Sequence, residues 1–186
     1  MENPLRLEVI VGSTRPERFA PVVATWFVGA ARRRAEFDTG VIDLVEARLP
    51  ENLVDTPEAV AYRARLAAAD AFVVVTSEYN HGYPAAVKTA FDTAKHEWRA
   101  KPVGFVSYGG LSGGLRAVEQ LRQVAAELHM VSVRETPSFP QAKKQFDKTG
   151  ITQNSAAIDA ADRMLTQLAW WATTLRTARG VDPYPG

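Results

Sequence analysis

Three short polar segments each follow an apolar run, and their residue types suit the binding of a small anionic ligand. Residues 12–15 carry two hydroxyls and a guanidinium, which are groups that bind phosphate. Residues 77–84 and 107–110 combine glycine with amide, carboxylate and phenol groups. Loops at the carboxyl ends of parallel strands meet in one crevice of an open α/β sheet. The three segments therefore predict a single ligand site.

The segment Gly12-Ser13-Thr14-Arg15 is suited to a phosphate monoester. It lies between a predicted strand and a predicted helix, and a helix N-terminus attracts anions. Arg15 can bind two phosphate oxygens, while Ser13 and Thr14 can each donate one hydrogen bond. Neither G-x-G-x-x-G nor G-x-x-x-x-G-K-[ST] fits this segment, which disfavours a dinucleotide or a nucleoside triphosphate here. Taken alone, the segment is equally compatible with a Ser13 helix cap and solvent-exposed arginines.

The other two segments suit a planar heterocycle. The second one places polar and aromatic side chains around Gly82, and a tight turn there can present backbone N–H groups to the edge of a ring. Isoalloxazine offers such an edge, with acceptors at N1, O2 and N5. In the third segment, Gly109 and Gly110 allow the main chain to approach a ring closely. The combination predicts flavin mononucleotide, FMN, although turn formation and packing would explain the same residues separately.

The composition limits what this site can belong to. The chain has 186 residues, a formal net charge of +1 and 46% hydrophobic residues, which predicts one domain, residues 1–186, with a full core. The near-neutral charge gives no sign of a nucleic-acid or membrane partner. The absence of cysteine excludes disulfides and thiolate chemistry, and we expect no metal site. Without an apolar leader at residues 1–4 or a long apolar run, we expect a cytoplasmic protein.

Short apolar runs alternate with longer segments of helical periodicity, which is typical of βαβ units around a parallel sheet. The predicted strands are residues 5–11, 37–44, 71–76, 102–106 and 130–133. The first predicted helix begins at Pro16, and the other predicted helices cover residues 57–69, 84–94, 115–128 and 156–178. In the first strand, Leu5, Leu7, Val9 and Val11 should share one face, with Ile10 on the other. Residues 134–155 are expected to form a polar loop.

In this order, the motifs resemble those of the NADPH-dependent FMN reductase family. The resemblance runs from Gly12-Ser13-Thr14-Arg15 through residues 78–92, its most specific part, to Ser107-Tyr108-Gly109-Gly110. It implies an α/β, flavodoxin-like three-layer sandwich, with a five-stranded parallel sheet in the order 2-1-3-4-5 and helices on both faces. It also implies a homodimer or tetramer, with the helices after the second and third segments at the interface.

The resemblance further implies which residues contact FMN. Ser13, Thr14 and Arg15 would hold its phosphate, and residues of the second and third segments would hold its ring. The full set of predicted contacts is Ser13, Thr14, Arg15, Arg18, Phe19, Glu78, Tyr79, Asn80, His81, Ser107, Tyr108, Gly109 and Gly110. Two positions depart from the family pattern. Ser77 stands where many relatives have proline, and Arg18-Phe19-Ala20 replaces a small polar residue, so Arg18 or the backbone near Phe19 is expected to substitute as a phosphate ligand.

The expected function is that of an FMN-dependent NAD(P)H oxidoreductase. Hydride would pass from NADPH or NADH to FMN N5 in a ping-pong cycle, and then to a flavin, quinone, azo compound or metal oxyanion. No catalytic residue is assigned, although Tyr83 and His81 are the nearest candidates for a proton donor. Five aromatic residues are candidates to line the open face of the flavin. They are Tyr79, Tyr83, Trp98, Tyr108 and Phe139.

Two alternatives stay open from the sequence. The same fold serves FMN-binding electron carriers that lack a nicotinamide site, although such carriers dock through strong charge complementarity that a net charge of +1 does not supply. A protein that binds a nucleotide or sugar phosphate without flavin is the second alternative. The preference for NADPH over NADH comes from the resemblance alone, and residues 134–155, with Lys143, Lys144 and Phe146, are either a lid over the nucleotide or a surface loop.

Overall fold

A computed structural model of the protein describes residues 3–186. Six strands and six α-helices follow one another along this part of the chain, for the most part in alternation. The strands are β1 (Leu5–Val11), β2 (Phe37–Asp43), β3 (Ala71–Ser77), β4 (Pro102–Gly109), β5 (Val131–Ser132) and β6 (Ser138–Pro140). The helices are α1 (Ala20–Arg32), α2 (Leu44–Ala47), α3 (Pro57–Ala68), α4 (Ala85–Asp92), α5 (Leu115–Glu127) and α6 (Ser155–Val181).

All strand pairs are parallel, and the sheet order is β2-β1-β3-β4-β5, which confirms the predicted flavodoxin-like fold. The predicted fifth strand, residues 130–133, is present as the shorter β5, and β6 is a sixth strand that was not predicted. Pro102 of β4 pairs with Val131 of β5, whereas Ser107, five residues further along β4, pairs with Ser138 of β6. The fifth position of the sheet is therefore shared by two short strands, both hydrogen-bonded to β4, and the second one reaches the carboxyl edge.

A hydrophobic core lies on each face of the sheet. Leu5, Leu7, Val9 and Val11 face α1 and α6, and Ile10 faces the core of α3, α4 and α5. This separation confirms the predicted alternation, because successive side chains of a strand point to opposite faces. β3 is buried along its whole length, as expected for a central parallel strand covered on both sides. Packing against the two cores therefore fixes where each strand ends relative to its neighbours.

Three expectations are corrected. The first helix begins at Ala20, not at Pro16, because Glu17 has a left-handed backbone, with φ 51°, that a helix cannot include. Residues 134–155 are not a plain loop, since they contain β6 and a 3-10 turn at Ala142–Lys144. Trp98 and Phe139, which were candidates for the open face, are fully buried in the two cores. Within residues 3–186, no helix is both long and apolar enough to span a bilayer.

Candidate functional site

A cleft of about 580 Å³ opens at the carboxyl edge of the sheet. Three segments form its walls: the turn between β1 and α1, the ends of β3 and β4, and the turn after β6. The lining residues are Arg15, Pro16, Glu17, Arg18, Phe19, Ser77, Glu78, Tyr79, Tyr108, Gly109, Gln141, Ala142, Lys143 and Lys144. A cleft of this size accommodates a ligand as large as FMN.

The first wall joins the first two predicted segments. The Arg15 guanidinium lies over the Tyr79 ring, with its carbon 5.2 Å from the ring centroid. The Tyr79 hydroxyl lies 2.7 Å from Oγ of Ser13, which is fully buried. Arg15 is exposed and forms no ion pair within residues 3–186. Its charge is therefore available for a phosphate, and Tyr79 holds it beside Ser13. Thr14 lines a separate groove of about 260 Å³ against α4.

Arg18 has a structural partner in the same wall. Its Nη1 donates to Oδ1 of Asp43 at 2.7 Å, and its Nη2 donates to Oδ2 at 2.6 Å. Nη1 also donates to the Ser13 carbonyl. Such a bidentate pair is geometrically specific. Asp43 ends β2 and also accepts from the Val45 N–H to cap α2. Arg18 therefore fixes the backbone of the phosphate segment to β2 through three of its N–H donors.

The second wall contains a two-residue turn. Tyr79 and Gly82 exchange both backbone hydrogen bonds, at 2.9 and 3.0 Å, and the two residues between them have left-handed backbones. The φ angles are 49° for Asn80 and 73° for His81, as in a type I′ turn. Within residues 3–186, the backbone N–H groups of Asn80 and His81 have no acceptor. The turn thus gives a defined geometry to the free N–H groups that the sequence predicted at this position.

Glu78 connects the second predicted segment to Ser112 and Arg116, at the start of α5. Its carboxylate, 6% exposed, accepts hydrogen bonds from the Ser112 hydroxyl at 2.5 Å and from Arg116 Nε at 2.6 Å. Burial acts to raise the pKa of Glu78, but the bonds from Ser112 and Arg116 outweigh it and hold the pKa below its ordinary value. Arg116 also donates to His81 Nε2 at 2.6 Å. Glu78 therefore acts as a tether between the second predicted segment and the start of α5.

Three hydroxyls at this edge are buried without a partner. Ser77, Ser107 and Tyr108 each have a buried side-chain oxygen that forms no hydrogen bond within residues 3–186. Burial also raises the pKa of Tyr108 to about 12, so its hydroxyl stays protonated. Buried polar groups nearly always have partners, and exceptions indicate a missing ligand or water. Unpartnered hydroxyls beside free backbone donors and a free Arg15 fit FMN, with its polar ring edge and phosphate.

The structure brings seven of the predicted contacts to the cleft surface. They are Arg15, Arg18, Phe19, Glu78, Tyr79, Tyr108 and Gly109. Ser13 and Ser107 lie buried behind this surface, and Asn80 and His81 form the turn at its rim. Gly110 accepts a hydrogen bond from the Gln141 N–H. The third predicted segment is largely strand, because β4 extends to Gly109.

Residues 134–155, with Lys143 and Lys144, were expected to be either a lid over the nucleotide or a surface loop, and the fixed position of Gln141–Lys144 as the third wall of the cleft was missed. Its position follows from the pairing of β6 with β4, where Tyr108 lies opposite Phe139. A strand of three residues carries no periodic signal, so nothing in the sequence pattern indicated this pairing. Asp43 was missed as well. It ends the strand beside β1, and a carboxylate at that position was a detectable partner for Arg18.

Known proteins resemble this chain in sequence and in fold. The family model of the NADPH-dependent FMN reductases matches residues 5–144. An NAD(P)H-dependent FMN reductase of Schizosaccharomyces pombe is 37% identical over 156 residues, covering 77% of this chain and 75% of the relative. An NADPH:quinone oxidoreductase of Arabidopsis thaliana is 30% identical over 145 residues, covering 75% of this chain and 73% of the relative.

Among solved structures, a similar fold is that of FerB, a flavoenzyme NAD(P)H:(acceptor) oxidoreductase of Paracoccus denitrificans. The TM-score is 0.74, and the alignment covers 91% of this chain and 98% of FerB. The sequence identity of 19% means that this likeness concerns the fold alone.

Proposed function

Because the chain belongs to the NADPH-dependent FMN reductase family, and is therefore an NAD(P)H-dependent oxidoreductase with FMN as cofactor, we propose that it reduces quinones or free flavins. The net reaction with a quinone consumes NAD(P)H, one proton and the quinone, and yields NAD(P)⁺ and the hydroquinone. When bound, FMN supplies the redox chemistry by accepting two electrons from the nicotinamide and returning them to the acceptor.

The observation that carries this proposal is the set of unpartnered polar groups at the carboxyl edge. Arg15, held by Tyr79, binds the phosphate of FMN, and the free N–H groups of Asn80 and His81 bind the polar edge of the ring. Ser77, Ser107 and Tyr108 complete the hydrogen bonds that their buried hydroxyls lack. The chain itself needs no nucleophile for this chemistry, because its residues bind and orient the reactants.

We propose that the cycle is ping-pong. The one cleft of about 580 Å³ lies over these groups, so nicotinamide and acceptor would use the same opening in turn. Neither of the two candidate proton donors, Tyr83 and His81, is placed to donate a proton inside the cleft. His81 Nε2 is engaged by Arg116, and Tyr83 does not line the cleft. We therefore propose that the proton comes from solvent through the open mouth.

The proposed activity is tested with FMN-loaded protein. NADPH or NADH added without oxygen should bleach the flavin rapidly, and benzoquinone added afterwards should restore its absorbance. In steady state, double-reciprocal plots at several quinone concentrations should be parallel. Flavin that stays oxidised for minutes with both nucleotides would instead indicate an electron carrier. Failure to bind FMN at all would favour a protein for another phosphate ligand.

We also propose that the chain works as a single domain in a homodimer. Leu111 is 88% exposed and Leu115 is 51% exposed, and both lie where the third segment leads into α5. Two exposed leucines next to the cleft suit an interface that completes it from the partner side. Sedimentation should give a dimer, and Leu115→Glu should shift it toward the monomer. A wild-type monomer at micromolar concentration would refute this proposal.

A further inference from the structure

The third wall of the cleft is a fixed turn that presents two adjacent lysines. The Gln141 N–H donates to the Gly110 carbonyl at 2.7 Å, and Ala142 is only 5% exposed. After the lysines, the Phe146 ring packs on Phe19, with centroids 5.6 Å apart. The turn is thus anchored both to the end of β4 and to the start of α1. Lys143 and Lys144 are held at the rim of the cleft and need not be ordered by a moving lid.

The cations of the first wall are committed to a protein carboxylate or to the proposed FMN phosphate, whereas those of the third wall are not. Arg18 is paired with Asp43, and Arg15 stacks on Tyr79 beside Ser13, in the half of the cleft suited to the FMN phosphate. The side chains of Lys143 and Lys144 have no hydrogen-bond or ion-pair partner within residues 3–186, and both residues are exposed. They are therefore the lining cations that neither a protein carboxylate nor the proposed FMN phosphate engages.

Two carboxylates line the cleft. Glu78 is neutralised by Arg116, and Glu17 lies in the turn between β1 and α1, on the first wall. Neither forms an ion pair with Lys143 or Lys144 within residues 3–186. A second anion that enters the cleft is therefore attracted to these two lysines.

Lys144 also borders a second cavity of about 440 Å³. Phe146 and Ile151 give this cavity apolar surface, and Gln153 and Asn154 give it polar groups. The Asp147 carboxylate there is occupied by Thr149 and by the Ile151 N–H, and the hydrogen bonds, from Thr149 foremost, lower its pKa. The cavity is large enough for an adenosine group and offers it apolar surface and hydrogen-bonding groups. Lys144 lines both this cavity and the main cleft, and Lys143 lines the main cleft.

We propose that Lys143 and Lys144 form the binding site for the 2′-phosphate of NADPH and so favour NADPH over NADH. This inference rests on the proposed function. A phosphate monoester carries a charge of about −1.5 to −2 at neutral pH. Two ammonium groups, each with three donors, match that charge, whereas the 2′-hydroxyl of NADH gains little from them. The adenosine lies in the second cavity, and the nicotinamide reaches into the main cleft.

The test compares the double variant Lys143→Gln/Lys144→Gln with the wild type and with Lys148→Gln. Lys148 is an exposed lysine of the same segment that lines neither cavity, so its variant is the matched control. We expect the double variant to lower kcat/KM for NADPH about 20-fold and to change that for NADH less than about threefold. Lys143→Arg/Lys144→Arg should keep the NADPH preference.

Equilibrium binding supplies a second readout that does not depend on turnover. Calorimetry should show that adenosine 2′,5′-bisphosphate binds the wild type more tightly than 5′-AMP. The double variant should lose this difference, and the FMN dissociation constant should stay within about threefold. Raising the salt concentration should weaken NADPH binding in the wild type more than in the double variant.

Several results would overturn the inference while leaving the proposed function intact. Equal losses for NADPH and NADH would assign the lysines to the pyrophosphate shared by both nucleotides. A weaker FMN complex in the double variant would assign them to the FMN phosphate. An unchanged NADPH-to-NADH ratio together with unchanged bisphosphate binding would leave them without this role. Absence of turnover in the wild type would count against the proposed function, and the bisphosphate titration would still decide the inference.

Discussion

The two edges of the sheet differ in whether their buried polar groups have hydrogen-bond partners. At the carboxyl edge, Ser77, Ser107 and Tyr108 keep buried hydroxyls without partners, and Arg15 keeps a free charge. At the amino edge, the buried Lys101 donates to two carbonyls at the end of α3, at 2.7 and 3.0 Å. Unmet hydroxyls also occur singly at Thr39 and Tyr62, but at the carboxyl edge three of them cluster beside the free charge of Arg15, and this combination indicates a ligand site. The completed hydrogen bonds of the amino edge hold the fold together.

Asp70 is the centre of the amino edge. Its carboxylate accepts from the Arg6 N–H at 3.0 Å and lies 3.5 Å from Arg176 and 3.7 Å from Arg179. These contacts join β1 and the turn before β3 to the end of α6. Lys101 lies in the same neighbourhood, because the charges of Asp70 and Arg179 both influence its pKa. One carboxylate thus offsets several cations in a poorly solvated place.

The largest effect should come from removing that carboxylate. Asp70→Ala takes the carboxylate away from Arg179 and removes one of the anions that act on Lys101, and breaking a buried charge network from one side costs about 3 kcal/mol of unfolding free energy. FMN affinity of the folded variant should stay within about threefold, because the two edges are independent. Urea unfolding and FMN titration measure the two quantities. Asp159→Ala, at an exposed position of α6, is the control, and an equal loss there would refute the explanation.

The converse change is Arg15→Ala at the carboxyl edge. Losing the guanidinium should weaken FMN binding about 30-fold, since charge-assisted bonds to phosphate are among the strong ones. Stability without FMN should change by less than about 0.5 kcal/mol, because Arg15 is exposed and unpaired within residues 3–186. Fluorescence titration with FMN measures the affinity. Arg32→Ala removes a charge at the far end of α1, and FMN binding that falls equally in both variants would exclude a specific contact.

The difference between the edges also explains how far the sequence could be interpreted. The fold depends on period and burial, and both are visible in the chain. The alternation of Val9, Ile10 and Val11 predicted which core each would enter, and the uninterrupted apolar run of β3 predicted a central strand. Motif residues such as Arg15 and Tyr79 could be placed near one another because strand ends converge.

What the sequence did not indicate depends on contacts between distant residues. The wall at Gln141–Lys144 exists because β6 pairs with the last residues of β4, and three residues are too few for a pattern. The Glu78–Arg116 tether and the Arg18–Asp43 pair join residues 38 and 25 positions apart. Phe139 was misplaced because composition does not separate an aromatic ring of the core from one in a cleft.

A smaller effect should appear when pH is varied at the amino edge. Burial, with Arg179 nearby, lowers the pKa of Lys101 to about 8 from 10.5. Between these two values the unfolded chain binds more protons than the folded chain, so stability rises with pH. From pH 7.5 to 9.5 this group should add about 1 to 2 kcal/mol. Urea unfolding of the wild type and Lys101→Met at both pH values isolates the difference, and equal pH slopes would contradict it.

The smallest change should have opposite signs with and without cofactor. Ser107→Ala removes one buried hydroxyl that has no partner, so the protein without FMN should gain about 1 kcal/mol of unfolding free energy. If that hydroxyl serves the flavin ring, FMN binding should weaken about fivefold in the same variant. Thr39→Val is the matched control, because Thr39 has the same unmet hydroxyl in β2 and does not line the cleft. It should gain stability and bind FMN normally. Should Ser107→Ala bind FMN as well as the wild type, its unmet hydrogen bond would be no different from that of Thr39, and the distinction between the edges would rest on Arg15 and the turn at Asn80 alone.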